Sequence, residues 1–430
     1  MKVGIVNYYL RLKDYPTRYS LVALRLAEYL NSYDIDVDIC TIPLEIKDYD
    51  KYAKMLNEKF DIIAISHYVW SKEATKKIVE EIKKINNKKK IIVGGPEVKY
   101  INTQDYTDEY FIIGEGEKSL LNLILYIENG EKDKTFFDNN PNIFTSNKPE
   151  YKVLNNELEY ANPLFTKFKD IDKDFLYYET SRGCQYNCGY CGFKNRFKVA
   201  NFDLNFVEEE VKRIGELNFK EVFVIDANFG GNKQRAKKIM IFFNKYAPNA
   251  VLTIYLRPEF IDDEFIEILK QANLKEIRIG IQTINDNVPE WVRSNSIYHI
   301  CNELPKLSEN NIKWKAELII GLPGDDINGL KKSIDFVEEY LKPTEFCCYP
   351  LTVIKSTKMH ELVSKRNEEF WLEIDENNMA YESNSYSHDD LINMQQYSVF
   401  RMNSYLEKNY SKEDKIKKIN RNKIIKKNID

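Results

Sequence analysis

The sequence lacks long hydrophobic runs: none of about 18 consecutive apolar residues occurs in its 430 positions, so no transmembrane helix is expected. It does not open like a signal peptide either, because residues 1–7, Met-Lys-Val-Gly-Ile-Val-Asn, read as a buried strand. A soluble cytoplasmic protein without membrane partners is the expectation. Excess charge of one sign is also missing. Lys and Arg number 63 against 67 Asp and Glu, a net charge of -4, so there is no general polycation to grip nucleic acid. Cysteine is sparse, with seven in the chain, too few for a secreted disulfide scaffold of this size. The first strand runs into Asn7-Tyr8-Tyr9-Leu10 with no Gly-x-Gly-x-x-Gly, so a pyrophosphate finds no close backbone approach and dinucleotides are disfavoured.

What is present is globular composition, 43% hydrophobic and 30% charged. At roughly 150 residues per domain, the length predicts two to three domains. Residues 3–6, 37–41, 62–66 and 91–93 are short apolar runs, and between them residues 20–30 and 72–85 place apolar side chains at helical spacing. Strands alternating with helices predict a Rossmann-like, doubly wound parallel sheet over residues 1–133. Residues 134–172 are polar and read as a linker. Residues 173–350 hold six further strand-helix repeats, too few for a closed eight-stranded barrel, and so predict a partial (β/α)6 TIM barrel with its functional loops at the C-terminal strand ends. Residues 351–430 read as a mostly helical extension. Its tail, residues 412–430, carries eight of the 63 basic residues and three of the acidic ones: a docking patch for an acidic partner, or a solvated helix end.

Three of the seven cysteines fall within eight residues, Cys184, Cys188 and Cys191, directly after the first strand of the second repeat series. Thiolates so close in sequence converge on one metal site. Zinc would call for a fourth Cys or His, and none follows within 100 residues. Three thiolates suit a cubane iron–sulfur cluster with one iron left open to another ligand.

The run Ser181-Arg182-Gly183-Cys184, with Cys188 and Cys191 behind it, resembles the radical S-adenosylmethionine (SAM) enzymes. The resemblance implies that the three cysteines hold a [4Fe–4S] cluster whose open iron chelates SAM, and that reductive cleavage yields a 5′-deoxyadenosyl radical. Further positions match by place. Tyr190 takes the position of an aromatic near the adenine. Asp226-Ala227-Asn228-Phe229 follows the second strand, where Asp226 or Asn228 is expected to contact the methionine amino group. Arg257 and Gln282 close the third and fourth strands, where ribose and carboxylate contacts are expected, and Glu317, in the run to Gly324 that closes the fifth strand, is a further expected cofactor contact. The resemblance further implies a peptide or small-molecule substrate and an electron donor of reductase, flavodoxin or ferredoxin type.

Ser66, Gly94-Gly95-Pro96-Glu97 and Gly114-Glu115-Gly116-Glu117 make the first domain similar to the cobalamin-binding-type domains that precede many radical SAM cores. The Asp-x-His-x-x-Gly loop that supplies a lower cobalt ligand in many cobalamin proteins is absent, and the first histidine is His67. Cobalamin, a leader peptide or no ligand all stay open for this domain.

Cys347-Cys348 ends the sixth strand. Successive strand residues face opposite sides, so one thiol points into the barrel, where it would return a hydrogen atom to a carbon radical. Within the superfamily the chain looks most like enzymes that modify ribosomally made peptides. The cysteine pair and the missing histidine loop favour peptide Cα-epimerisation, with a cobalamin-dependent methyltransferase as the alternative and a non-catalytic iron–sulfur protein as the remote one.

Overall fold

The computed structural model describes residues 1–9, 20–106, 108–152, 158–195, 199–292, 296–355, 357–364 and 370–409. The basic tail, residues 412–430, lies outside them. By contacts the chain divides into one unit of residues 1–178 and 202–222 and a second of residues 179–201 and 223–430. No helix among the described residues is long and apolar enough to cross a membrane.

The chain opens with β1 (Lys2–Tyr9), α1 (Leu21–Asn31), β2 (Asp36–Pro43), α2 (Tyr49–Lys59), β3 (Ile62–Ser66), α3 (Lys72–Ile85), β4 (Lys90–Gly94), β5 (Tyr110–Ile112), α4 (Glu117–Glu128), α5 (Phe136–Asn139) and β6 (Ile143–Thr145). These strands form one sheet in the order β2-β1-β3-β4-β5-β6. The first five run parallel, and β6 adds an antiparallel edge. The order is doubly wound, with its switch point between β1 and β3. Both faces are covered: Ile62 and Ala64 belong to one core and Ile63 and Ile65 to the other. Burial on two faces is why these strands read as unbroken apolar runs. Strand β6 falls inside the stretch expected as linker. Its three residues are too short for a legible alternation, yet Ile143 and Phe144 are buried and Phe144 stacks on Phe111 at 5.1 Å.

The chain continues with β7 (Phe175–Tyr178), β8 (Ser181–Arg182), β9 (Ala200–Asn201), α6 (Leu204–Glu216), β10 (Glu221–Val224), α7 (Lys233–Tyr246), β11 (Val251–Tyr255), α8 (Asp263–Leu269), β12 (Leu274–Gln282), α9 (Ile297–Glu309), β13 (Trp314–Ile320), α10 (Ile327–Asp335) and β14 (Glu345–Pro350). The major strands lie in the order β14-β13-β12-β11-β10-β7, an open series with each strand beside its predecessor, and β11 to β14 pair in parallel. Each of the five helices from α6 to α10 begins on a capping side chain, Asp203, Asn232, Asp262, Ser296 and Asp326 in turn, which accepts a backbone N–H of the first turn. The C-terminal extension comprises α11 (Lys358–Ser364), an antiparallel hairpin of β15 (Leu372–Ile374) and β16 (Ala380–Ser383), and the long α12 (His388–Asn409).

Candidate functional site

Cys184, Cys188 and Cys191 lie on one loop after β8 and all three are half-buried. The loop is held from several sides. The backbone N–H of Cys191 donates to the Cys188 carbonyl at 3.1 Å, that of Gly189 donates to the Trp291 carbonyl at 3.0 Å, and the Gly189 carbonyl accepts from Met359 at 2.9 Å. A Cβ on Gly189 would stand 2.4 Å from the Trp291 ring, so only glycine fits there. Burial pushes the Cys184 and Cys191 thiols up, and the negative charge of the neighbouring thiolates adds to the rise. Among the described residues, no group of three or more His, Cys, Asp or Glu side chains stands ready to hold a metal ion. The donor chemistry nevertheless fits an iron–sulfur cluster. Three soft thiols lie on one loop, and a cationic centre among them would relieve the repulsion that their thiolates exert on Cys184 and Cys191.

The root of this loop is fixed by Asp226, fully buried after β10. One carboxylate oxygen accepts from the backbone N–H of Thr180 at 2.6 Å and of Ser181 at 3.1 Å; the other accepts from the Thr180 hydroxyl and from the Gly230 N–H at 2.9 Å. Burial pushes its carboxyl above the usual carboxylate range while these donors pull it down. With both oxygens engaged by the protein, Asp226 positions the cysteine loop, while Asn228 offers a free donor rather than the acceptor that the expected amino-group contact needs. That side chain is buried; its oxygen accepts from the Arg257 N–H at 3.2 Å and its amide nitrogen has no partner. An orphaned buried donor of this kind fits an acceptor such as a carboxylate.

Arg257 stands beside the cysteine loop. Its guanidinium lies 3.5 Å from the centroid of the Tyr186 ring and pairs with Glu259 at 3.0 Å. Tyr190 is half-buried, and its hydroxyl is held well above its ordinary pKa by burial and by the Cys188 and Cys191 thiolates. Gln282 ends β12 at a φ of 61° and folds its amide back over Gly280. Glu317 lies mid-strand on β13, in register with Gly280 and Cys347, rather than at the strand end.

The cysteine pair on β14 is divided as strand alternation requires. The Cys348 backbone N–H points to the Met402 sulfur of α12 at 3.3 Å, while Cys347 has its thiol 3.8 Å from Glu345 and shares a face with Lys315 and Glu317. The charged residues of that face, Glu276, Arg278, Lys315 and Glu345, were not singled out from sequence. The available signal was charge at a spacing of two inside otherwise apolar strands.

In the first unit the loops after β3 and β4 interlock. His67 donates its N–H to the Gly94 carbonyl at 2.6 Å and accepts from Glu97 at 3.3 Å, and a Cβ on Gly95, at φ 116°, would stand 2.6 Å from the His67 carbonyl oxygen. The His67 imidazole is buried with Nδ1 unpartnered, and desolvation lowers its pKa to about 4. Beyond it Trp70, 64% exposed, stacks on Tyr68 at 4.7 Å. A neutral imidazole and an exposed Trp70 stacked on a half-buried Tyr68 at the C-terminal ends of the strands are compatible with a flat, largely apolar cofactor such as a corrin.

Comparison with known proteins bears on both units. Residues 178–337 match the Radical SAM superfamily and residues 18–124 match the B12 binding domain. A methyltransferase of unassigned role from Synechocystis sp. is 24% identical over 62% of this chain and 50% of its own length. The 2-(S-pantetheinyl)-carbapenam-3-carboxylate methyltransferase of Streptantibioticus cattleyicolor is 26% identical over 61% of this chain and 42% of its own. The chain thus spans about half the length of these curated relatives. The cobalamin-dependent SAM radical enzyme OxsB shares the fold over 97% of this chain and 70% of its own, at a TM-score of 0.73 and 18% identity. The radical SAM methyltransferase TsrM from Kitasatospora setae does so over 84% of this chain and 78% of its own, at 0.69 and 16%. A radical SAM domain implies a [4Fe–4S] cluster and SAM as cofactors. The chain carries a radical SAM domain preceded by a B12 binding domain.

Proposed function

We propose that this chain is a cobalamin-dependent radical SAM methyltransferase. The observation that carries the reading is the B12 binding match over residues 18–124 ahead of the radical SAM match over residues 178–337. The methyltransferase names of the curated relatives and the fold shared with OxsB and TsrM support it. The sequence favoured peptide epimerisation instead, and that preference is withdrawn. It rested on the Cys347-Cys348 pair and on a missing histidine loop, whereas the two curated relatives named above are methyltransferases and no comparison supports an epimerase. Cys348 shares its face with Phe346, whose ring meets Tyr405 of α12 at 5.3 Å, and Cys347 sits within a charged network, so the pair as such gives no argument for hydrogen return.

In this reading the cluster bound by Cys184, Cys188 and Cys191 supplies the electron that cleaves SAM, and cobalamin supplies the methyl carrier. The residues of the chain do the holding. Asp226 pins the start of the cysteine loop, Gly189 and Trp291 pin its middle, and the unpartnered amide nitrogen of Asn228 takes an acceptor group of SAM. His67, neutral above about pH 4, and the Tyr68–Trp70 pair present an uncharged surface to the corrin. The test is to reconstitute the full chain anaerobically with iron and sulfide, add hydroxocobalamin and pass it through gel filtration. One equivalent of cobalamin retained beside a full cluster is expected. A full cluster with no retained cobalamin overturns the reading and returns the choice to cobalamin-free radical chemistry.

A further inference from the structure

The cysteine loop meets the segment that follows β14. The Gly189 carbonyl accepts the Met359 N–H at 2.9 Å, and a Cβ on Gly192 would stand 3.4 Å from two carbons of the Ile354 side chain. At this junction apolar side chains face solvent. Phe193, two residues after Cys191, is 54% exposed, and Ile354 is 46% exposed. Lys358 is exposed as well and holds its ammonium 4.4 Å from the centroid of the Trp291 ring, which lies over Gly189. A single exposed apolar residue is ordinary on a protein surface. Two that flank one glycine, against the loop that bears the three cysteines, mark a contact surface.

The charge of the junction has one sign. Between Glu179 and Asp203 the sequence carries four basic residues and no acidic one, and residues 351–360 carry Lys355 and Lys358 and no acidic one. Of these bases, Arg182 is paired with Glu179. Glu290 and Glu361 adjoin Trp291 and His360 in sequence, and even with them the balance stays positive, on a chain whose net charge is -4. An apolar centre with a basic surround complements a partner with an apolar centre and an acidic rim.

We propose that this junction is the landing surface for a small acidic flavoprotein that delivers the electron to the cluster, with Phe193 and Ile354 meeting the apolar edge of its flavin. Only Gly192 separates Phe193 from Cys191, so an electron entering here is already beside a cluster ligand. The anionic flavin hydroquinone of the carrier is oxidised by one electron to the neutral semiquinone, the cluster is reduced by one electron from the 2+ to the 1+ state, and no proton moves. A transient encounter of this kind needs only a small contact, below about 1,200 Å² in total. The assignment rests on the cluster of the radical SAM domain and does not require cobalamin.

The test titrates oxidised flavodoxin into the full reconstituted chain by calorimetry at low and at physiological salt. Binding that weakens about tenfold at the higher salt is expected. Ile354→Asp and Lys358→Glu are each expected to weaken it about tenfold or more at low salt, with iron content unchanged, and Lys51→Glu on α2 to leave it as it is. A second readout is the electron paramagnetic resonance of the reduced cluster: dithionite reduces the wild type and both variants alike, whereas flavodoxin hydroquinone reduces the variants about tenfold more slowly. Should I354D lose its iron, K358E decides. The proposal is overturned if the wild type does not bind flavodoxin, if the iron-loaded variants bind it as the wild type does, if K51E weakens binding equally, or if polyglutamate binds as tightly as flavodoxin, which would mark a general anion patch. Cobalamin retention on the same preparation reports separately on the methyltransferase reading.

Discussion

At the scale of single residues, the chain uses burial to set what each polar group does. Asp226 has every acceptor position toward the cysteine loop filled, so it shapes the loop. Asn228, two residues on, keeps a buried donor unfilled and is therefore the one available to a ligand. His67 offers a pH test. Its folded pKa is lowered to about 4 from the ordinary value of 6.5, so between these values the unfolded chain binds the proton more readily. The contribution of His67 to stability is complete above about pH 6.5 and declines as pH falls toward 4, by up to about 3 kcal/mol in all. Urea titrations at pH 7 and pH 5 are expected to show lower stability at pH 5, and His67→Gln is expected to reduce that difference. An unaltered difference in the variant would show that His67 is not its source.

At the scale of elements, the first unit depends on carboxylates that staple helices to loops. Arg25 of α1 pairs with Glu210 of α6; both side chains are almost fully buried, and Arg25 also lies 4.6 Å from the centroid of the Phe202 ring. Glu210 accepts the Leu164 N–H at 2.7 Å, and Glu28 of α1 accepts from Lys167 and Phe168 at 3.0 Å each. Removing one partner strands the other charge in the interior. Arg25→Ala is expected to cost about 3–5 kcal/mol in urea unfolding, and the double change Arg25→Met with Glu210→Leu to recover most of it. A cost below about 1 kcal/mol for R25A would place this pair among ordinary surface bridges. The sequence showed these helices by their periodicity. It did not show the staples, because Arg25 and Glu210 are 185 positions apart and each looks like an ordinary helix-surface charge.

At the scale of the whole molecule, the radical SAM and B12 binding matches occupy separate stretches of the sequence, so under the proposed function their loads are separable. Replacing Cys184, Cys188 and Cys191 together by Ala is expected to abolish iron binding and the broad absorbance of the cluster, while the chain still retains hydroxocobalamin. Loss of both loads together would show that the B12 binding stretch folds only with the cluster in place. The cysteine spacing, the strand-helix alternation and the glycine loops at strand ends were legible because they are local: neighbours in sequence, or repeats at a fixed period. That determined the doubly wound sheet, the open six-stranded series and the radical SAM character, and it nominated Cys184, Cys188 and Cys191 as cluster ligands. Tertiary structure alone decided the rest. Strand register set Cys347 toward Lys315 and Glu317 and set Cys348, with Phe346, toward α12, engaged both Asp226 oxygens at the root of the cysteine loop, and left Glu317 without a direct ion-pair partner on a charged face. These outcomes turn on which distant side chains a strand or loop brings within bonding distance, and composition and spacing carry no record of that.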